Sequence, residues 1–209
     1  MKLTGPETIT IRLATNNDIE KMADLHCSSF GPEDHVPVLL GRNYIKAMYR
    51  WKVNGKEAYT LVAESHGLIV GLVAVCDRSF TLPMFKACFP EFIKSIIKKP
   101  SILFDRSLWR RFFRRSDNSN NRGEHSENQS GIAQMIIGVV DSAFRGRGVF
   151  AELIESTKAV SKSRGSKAIR AGIYKNNSSS RRVFIKSGWI ELPAPEASDT
   201  VFYVANLAG

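Results

Sequence analysis

An α/β domain is the fold class that this sequence predicts, and three observations predict it. Segments whose apolar residues alternate with period two are interspersed with segments whose apolar residues recur every three or four positions. A three-residue loop, Ser65-His66-Gly67, joins two β-rich runs. A glycine-rich turn separates an apolar strand from an amphipathic helix. With 209 residues, 43% of them hydrophobic and 24% charged, the chain has the length of one ordinary domain with a sizeable core.

The elements follow in order. Thr8 to Leu13 alternates and reads as a strand, and Asn16-Asn17-Asp18 caps a helix running to about Ser28. Beyond Gly31-Pro32, Val36, Leu40, Tyr44 and Met48 recur every four residues, predicting one helix that ends near Asn54-Gly55. Ala58 to Glu64 and Leu68 to Cys76 form an antiparallel hairpin. Gly131 to Val140 is predominantly apolar and reads as a strand buried on both faces. Val149, Leu153 and Val160 mark a helical stripe that stops at Gly165, after the basic residues Lys162 and Arg164. Lys167 to Tyr174 is a strand, Ser178 to Ser187 a short helix stopped by Gly188, and Thr200 to Ala205 a last strand after a loop holding Pro193 and Pro195. No internal repeat is visible.

Charge and cysteine usage narrow the function. Thirty Lys and Arg against twenty Asp and Glu leave +10, which favours polyanionic partners and says nothing about fold. Met1 to Leu13 has no apolar run of signal-peptide length. The longest uncharged apolar stretch, Gly67 to Cys76, is about half of a membrane span. Cys27, Cys76 and Cys88 are odd in number and make no C-x-x-C, so they read as reduced and mostly buried, with neither a disulfide framework nor a bound metal, in a cytoplasmic protein.

Between the hairpin and the Gly131 strand lies an insert of about 50 residues, roughly 78–130. Thr81 to Arg115 mixes aromatics with nine Lys or Arg against only Glu91 and Asp105, a net +7. Ser116 to Ser130 is rich in Ser, Asn, Gly and Glu with little to bury, and is expected to be a loop.

The chemistry is concentrated in Ile136-Ile137-Gly138-Val139-Val140-Asp141-Ser142-Ala143-Phe144-Arg145-Gly146-Arg147-Gly148-Val149-Phe150. Glycines let successive backbone N–H groups point into one concavity and the helix start adds partial positive charge, so the turn suits a pyrophosphate reinforced by Arg145 and Arg147. Gly146-x-Gly148-x-x-Ala151 also satisfies the dinucleotide fingerprint of an NAD(P)-dependent oxidoreductase, but no acidic residue closes the next strand to grip a ribose.

The same segment resembles the acyl-CoA-binding motif Q/R-x-x-G-x-G/A of the GCN5-related N-acetyltransferases, with Arg145 and Gly148 in the first and fourth positions and Phe150 where Gly or Ala is usual. Asn177 to Trp189 is similar to the family's N-x-x-A-x-x-x-Y-x-x-x-G-F, and Ile11 to Asp18 to its I-R-x-A-x-x-x-D opening. The resemblance covers about 8–77 and 131–206, leaving the insert outside. It implies one domain over 1–209 with a mixed, mostly antiparallel central sheet flanked by helices and a helical insert before the fourth strand.

It also implies a reaction. Acetyl-CoA would serve as co-substrate without a metal, its pantetheine arm pairing with the backbone of Gly138, Val139 and Val140 and contacting Asn177. Its pyrophosphate would sit on the amides of Arg145, Gly146, Arg147, Gly148, Val149 and Phe150. A lysine-like amine has a pKa near 10.4, so about one in a thousand is neutral at pH 7 and a base helps. The family often places a Glu five residues before the Asn, and here that residue is Gly172; its usual Tyr seven residues after the Asn is Phe184. The substitutes are His26, the Glu33-Asp34-His35 cluster and Asp77 as bases and Tyr174 as the acid, with His26 and Asp77 preferred because an element fixes each.

The acceptor is expected to be a small-molecule amine. For the insert, three readings compete with a plain packing role: a phosphorylated acceptor such as a nucleotide-linked amino sugar gripped by Arg110, Arg111, Arg114 or Arg115, peripheral membrane contact through 81–115, and, least favoured, nucleic acid. A homodimer, and a catalytically weak nucleic-acid- or membrane-binding module that has kept the fold, stay open.

Overall fold

A computed structural model describes residues 8–31, 35–78, 80–104, 131–195 and 198–207. In chain order the elements are β1 (Thr10–Leu13), α1 (Ile19–Ser29), α2 (Val36–Leu39), α3 (Arg42–Asn54), β2 (Ala58–Ser65), β3 (Leu68–Cys76), α4 (Thr81–Lys98), β4 (Ile132–Val140), α5 (Val149–Ser163), β5 (Ala168–Tyr174), α6 (Ser178–Lys186), β6 (Ile190–Leu192) and β7 (Thr200–Asn206). The seven strands form one sheet in the order β1-β2-β3-β4-β5-β7-β6. Only β4 and β5 run parallel, and the other neighbours are antiparallel. That mixed sheet, with one parallel pair, has none of the doubly wound topology that a dinucleotide fingerprint needs, so the oxidoreductase alternative loses its structural context.

Each face of the sheet carries its own core. On one side, α5 and Phe184 of α6 cover Tyr59, Leu61, Val73, Ala133, Met135, Ile169 and Tyr203. On the other, α1, α3 and α4 cover Val62, Leu72, Ala74, Ile137 and Val139. The opening Arg12-x-x-x-x-x-Asp18 spacing acquires a physical reason here. Arg12 donates to both carboxylate oxygens of buried Asp18 at 2.7 and 2.8 Å and to Glu64 at 2.8 Å, tying β1, the α1 start and β2 together. The guanidinium holds the Asp18 carboxyl well below the usual carboxylate range.

Two expectations need correction. The four-residue repeat from Val36 to Met48 belongs to two helices, because Gly41 adopts φ 87°, a left-handed conformation that ends α2 and starts α3. Leu40, Tyr44 and Met48 still share a core, so the apolar period survives the break. The three-residue strand β6, just before Pro193, is too short to announce itself by alternation.

β4 serves both cores through a bulge. Its register with β3 pairs Ala74 with Ile137 but Val75 with Met135, leaving Ile136 as the extra residue. Ala133 and Met135 therefore point to the α5 side, whereas Ile137 and Val139 point to the α1–α3 side. Buried and half-buried residues alternate along most of β4, and the bulge moves the buried set from one face to the other, so the strand contributes to both cores.

Candidate active site

The bulge coincides with a fork in the sheet. The parallel ladder pairs Ile132 to Met135 with Ala168 to Ala171 and stops there, while β4 continues beside β3 to Val140 and β5 continues beside β7 to Tyr174. Gly138 to Val140 and Gly172 to Tyr174 thus face each other without pairing across the gap. Backbone groups on such open edges need another partner, and an extended amide-bearing arm can supply one.

At the open end of the fork β4 runs into the glycine turn. Asp141 Oδ1 accepts from the Ala143 amide at 2.8 Å, and Arg145 Nε donates to the Val140 carbonyl at 3.1 Å, fastening the turn to the strand. Gly146 and Gly148 have φ of 76° and 83°, and a side chain on either would project into open space. Gly148 caps α5, so the first amides of the helix, including Val149 and Phe150, have no intrahelical acceptor and point into the turn. The Arg147 guanidinium lies 5.2 Å from the centre of the Phe144 ring. Glycines, free helix amides and two arginines at the mouth of a fork suit a pyrophosphate continuing into an extended arm.

No protein-family model and no curated protein matches the sequence. Solved structures do match in fold. An N-acetyltransferase from Staphylococcus aureus Mu50 is 14% identical, with 96% of this chain and 99% of that chain covered at a TM-score of 0.60. The PaiA N-acetyltransferase from Thermoplasma acidophilum, solved with coenzyme A, is 9% identical, with 95% and 99% covered at 0.61. The yncA protein of Salmonella typhimurium, solved with its cofactor acetyl-CoA, is 15% identical, with 97% and 95% covered at 0.60. The chain has the GCN5-related N-acetyltransferase fold.

Within that fold Phe150, the bulky residue in the glycine motif, turns inward. Its ring packs edge-on to Phe184 at 5.9 Å and lies over Gly138, where an added Cβ would come within 2.9 Å of Phe150 Cε2. A residue without a side chain on β4 therefore makes room for a large one on α5, and the turn stays open. Phe184 is fully buried between Phe150, Trp189 and Tyr203, so it is a core residue and cannot protonate anything.

The candidate bases are placed differently from what their positions in the sequence suggest. His26 is fully buried; Nδ1 is hydrogen-bonded to the Tyr49 hydroxyl at 2.8 Å and Nε2 to His35 Nδ1 at 2.9 Å. Burial, reinforced by nearby Lys52, pushes its pKa down to about 3, so the ring is neutral, donating through one nitrogen and accepting through the other. Both ring nitrogens are engaged within the protein. Asp77 sits at the closed end of the sheet, next to Cys76, which pairs with Gln134, and its Oδ2 accepts from Arg164 Nε at 2.9 Å and Nη2 at 2.6 Å. It belongs to an ion pair with the C-terminal end of α5, away from the fork. Of the Glu33-Asp34-His35 cluster, Glu33 and Asp34 lie outside the described residues.

Tyr174 ends β5 at the open side of the fork and is 53% exposed. Asn177 caps α6, its Oδ1 accepting from the Ser180 amide at 3.0 Å, which places it beside the same opening. Arg170 was not singled out in the sequence. It lies in register with Gln134 on the last rows before the fork, and its guanidinium stacks 3.9 Å from the centre of the Phe202 ring, which also covers Gly172. Ile169 and Ala171 face α5, so Arg170 faces the α1–α3 side. No local signal marks it, because its partner comes from β7. The expected helical insert is described only through α4 and a 3₁₀ turn, Pro100–Phe104; Arg110, Arg111, Arg114 and Arg115 lie outside the described residues.

Proposed function

We propose that the protein is an N-acetyltransferase that moves an acetyl group from acetyl-CoA to the primary amine of a small molecule. The observation that carries the reading is the continuity of the forked β4–β5 edge with the glycine turn at the start of α5. The residues that would hold the co-substrate are Gly138, Val139 and Val140 along the open edge, Arg145 to Phe150 at the turn, and Asn177 beside them. When bound, acetyl-CoA supplies a thioester that an amine can attack directly.

This chain's contribution is then mostly positioning: a rigid sheet edge and helix start fix the donor, and backbone donors on the open edge can stabilise charge developing on a carbonyl oxygen. With His26 and Asp77 committed elsewhere, the proton of the attacking amine passes to water in the fork. Tyr174 is the phenol available at the open end to protonate the leaving thiolate, a group whose pKa near 8.5 makes the demand modest. A phosphate-bearing acceptor, for instance a nucleotide-linked amino sugar, is the finer form of the proposal, supported by Arg170 on the α1–α3 side and by the basic excess of 81–115.

Gly172 and Phe184, which stand where the family usually has a base and an acid, favour one second reading: a fold that binds acyl-CoA with little turnover. Calorimetric titration with acetyl-CoA, followed by thiol release with a panel of amines, separates the two. We expect micromolar binding and amine-dependent thiol release; binding without release selects the second reading, and no binding defeats both. Gly148→Glu places a carboxylate on the phosphate turn in open space and is expected to weaken binding by 100-fold or more, roughly 3 kcal/mol. Unchanged affinity would put the co-substrate elsewhere.

A further inference from the structure

α4 carries apolar residues on both of its sides. Its inner side, with Met84, Cys88 and Phe92, packs into the core shared with α1 and α3. Leu82, Phe89, Ile93 and Ile97 recur at helical spacing on the outside and are 62%, 46%, 39% and 71% exposed, and Phe104 beyond the helix is 87% exposed. Lys86, Lys94, Lys98 and Lys99 accompany this stripe, and the one acid between Thr81 and Phe104 is Glu91, which is paired with Lys94 at 2.7 Å. No helix among the described residues is long and apolar enough to cross a membrane.

We propose that this stripe docks α4, lying flat, on an anionic lipid surface. An exposed apolar stripe with Lys86 within it and Lys94 beside it, where ammonium groups can meet lipid phosphates, has the chemistry of an interfacial helix. Charge disfavours the other occupants. A second copy of the same stripe would bring Lys86, Lys98 and Lys99 against their equivalents. The chain's own 105–115 has Leu108, Trp109, Phe112 and Phe113 but interleaves them with Arg106, Arg110, Arg111, Arg114 and Arg115 against the single Asp105, so covering the stripe with it would set like charge against Lys86 and Lys94, and 116–130 contains no large apolar side chain.

The test is co-sedimentation of the full-length protein with phosphatidylcholine vesicles, with and without phosphatidylglycerol, at low and high salt. We expect partitioning onto the anionic vesicles alone, weakened by salt. The double variant Phe89→Asp/Ile97→Asp, exposed in both side chains, should lower the partition coefficient by at least about tenfold while leaving the thermal midpoint within a few degrees. Lys86→Glu/Lys98→Glu should lower it and flatten its salt dependence. The proposal is overturned if the wild type ignores anionic vesicles, binds neutral ones equally well, or binds undiminished when the stripe carries two aspartates. It is also overturned if light scattering finds a dimer that the aspartate variant splits, which would assign the stripe to a second copy.

Discussion

On its α5–α6 face the sheet is closed by Phe184 and by Phe150, Trp189 and Tyr203, whose rings each meet that of Phe184 at 4.9 to 5.9 Å. On its α1–α3–α4 face it is closed over His26, Tyr49, Lys52 and Cys88, four groups able to ionise, all buried. Lys52 is 1% exposed with its Nζ 4.9 Å from the centre of the Tyr49 ring, and burial pushes its pKa down to about 8. Burial likewise pushes the Cys88 thiol up to about 11. The first face gains stability from dry aromatic packing, whereas the second holds charge-capable groups at a cost in desolvation. The glycine turn grows from the aromatic face, where rigidity helps hold backbone amides in place.

The aromatic face should give the largest effect on stability. Phe184→Ala removes the ring at the centre of the cluster and is expected to cost about 4 kcal/mol, measured by denaturant unfolding. A cost below about 1 kcal/mol would mean that the stack does not organise this face.

The polar face should instead show itself through pH. His26 binds its proton at about pH 6.5 when unfolded and only near 3 when folded, so the unfolded chain holds more protons in between and stability falls as pH drops below about 6.5. For Lys52 the ordinary value is 10.5 and the folded value about 8, so stability rises with pH from 8 until the buried thiols Cys76 and Cys88 oppose it above about 9. His26→Phe should flatten the acid limb of a plot of unfolding midpoint against pH, and Lys52→Met the alkaline rise, with a gain of about 2 kcal/mol at pH 7 for the latter. An unaltered acid limb in His26→Phe would assign that loss to other groups.

A smaller effect tests how β4 and α5 fit each other beside the glycine turn. Gly138→Ala drives a methyl into Phe150 and should cost about 1–3 kcal/mol, and adding Phe150→Leu should recover part of that loss. Independent, additive costs in the double variant would show that the ring does not depend on the glycine.

Much of the fold could be read along the chain. The hairpin, the β4 strand, the α5 stripe and the β5–α6 pair were legible because each rests on local periodicity and on turn residues such as His66-Gly67 and Gly188, which take positive φ. The glycine turn was legible for the same reason, since its shape is set by backbone conformation and glycines announce it. The break at Gly41 was hidden because both helices feed one core and keep one apolar period. The catalytic candidates were less legible. His26 and Asp77 have the right side chains at promising places, but only the packing of α3 against α1 and of α5 beneath β3 brings Tyr49, His35 and Arg164 to them.

By itself, the sequence determined most of the strands and helices and the glycine turn, because hydrophobic periods and glycines at positive φ act over a few neighbouring residues. Tertiary structure alone decided where β4 leaves β5, which way Phe150 turns, and which ionisable groups are buried. Those outcomes depend on partners far apart along the chain, and desolvation and close packing are properties of the assembled surroundings.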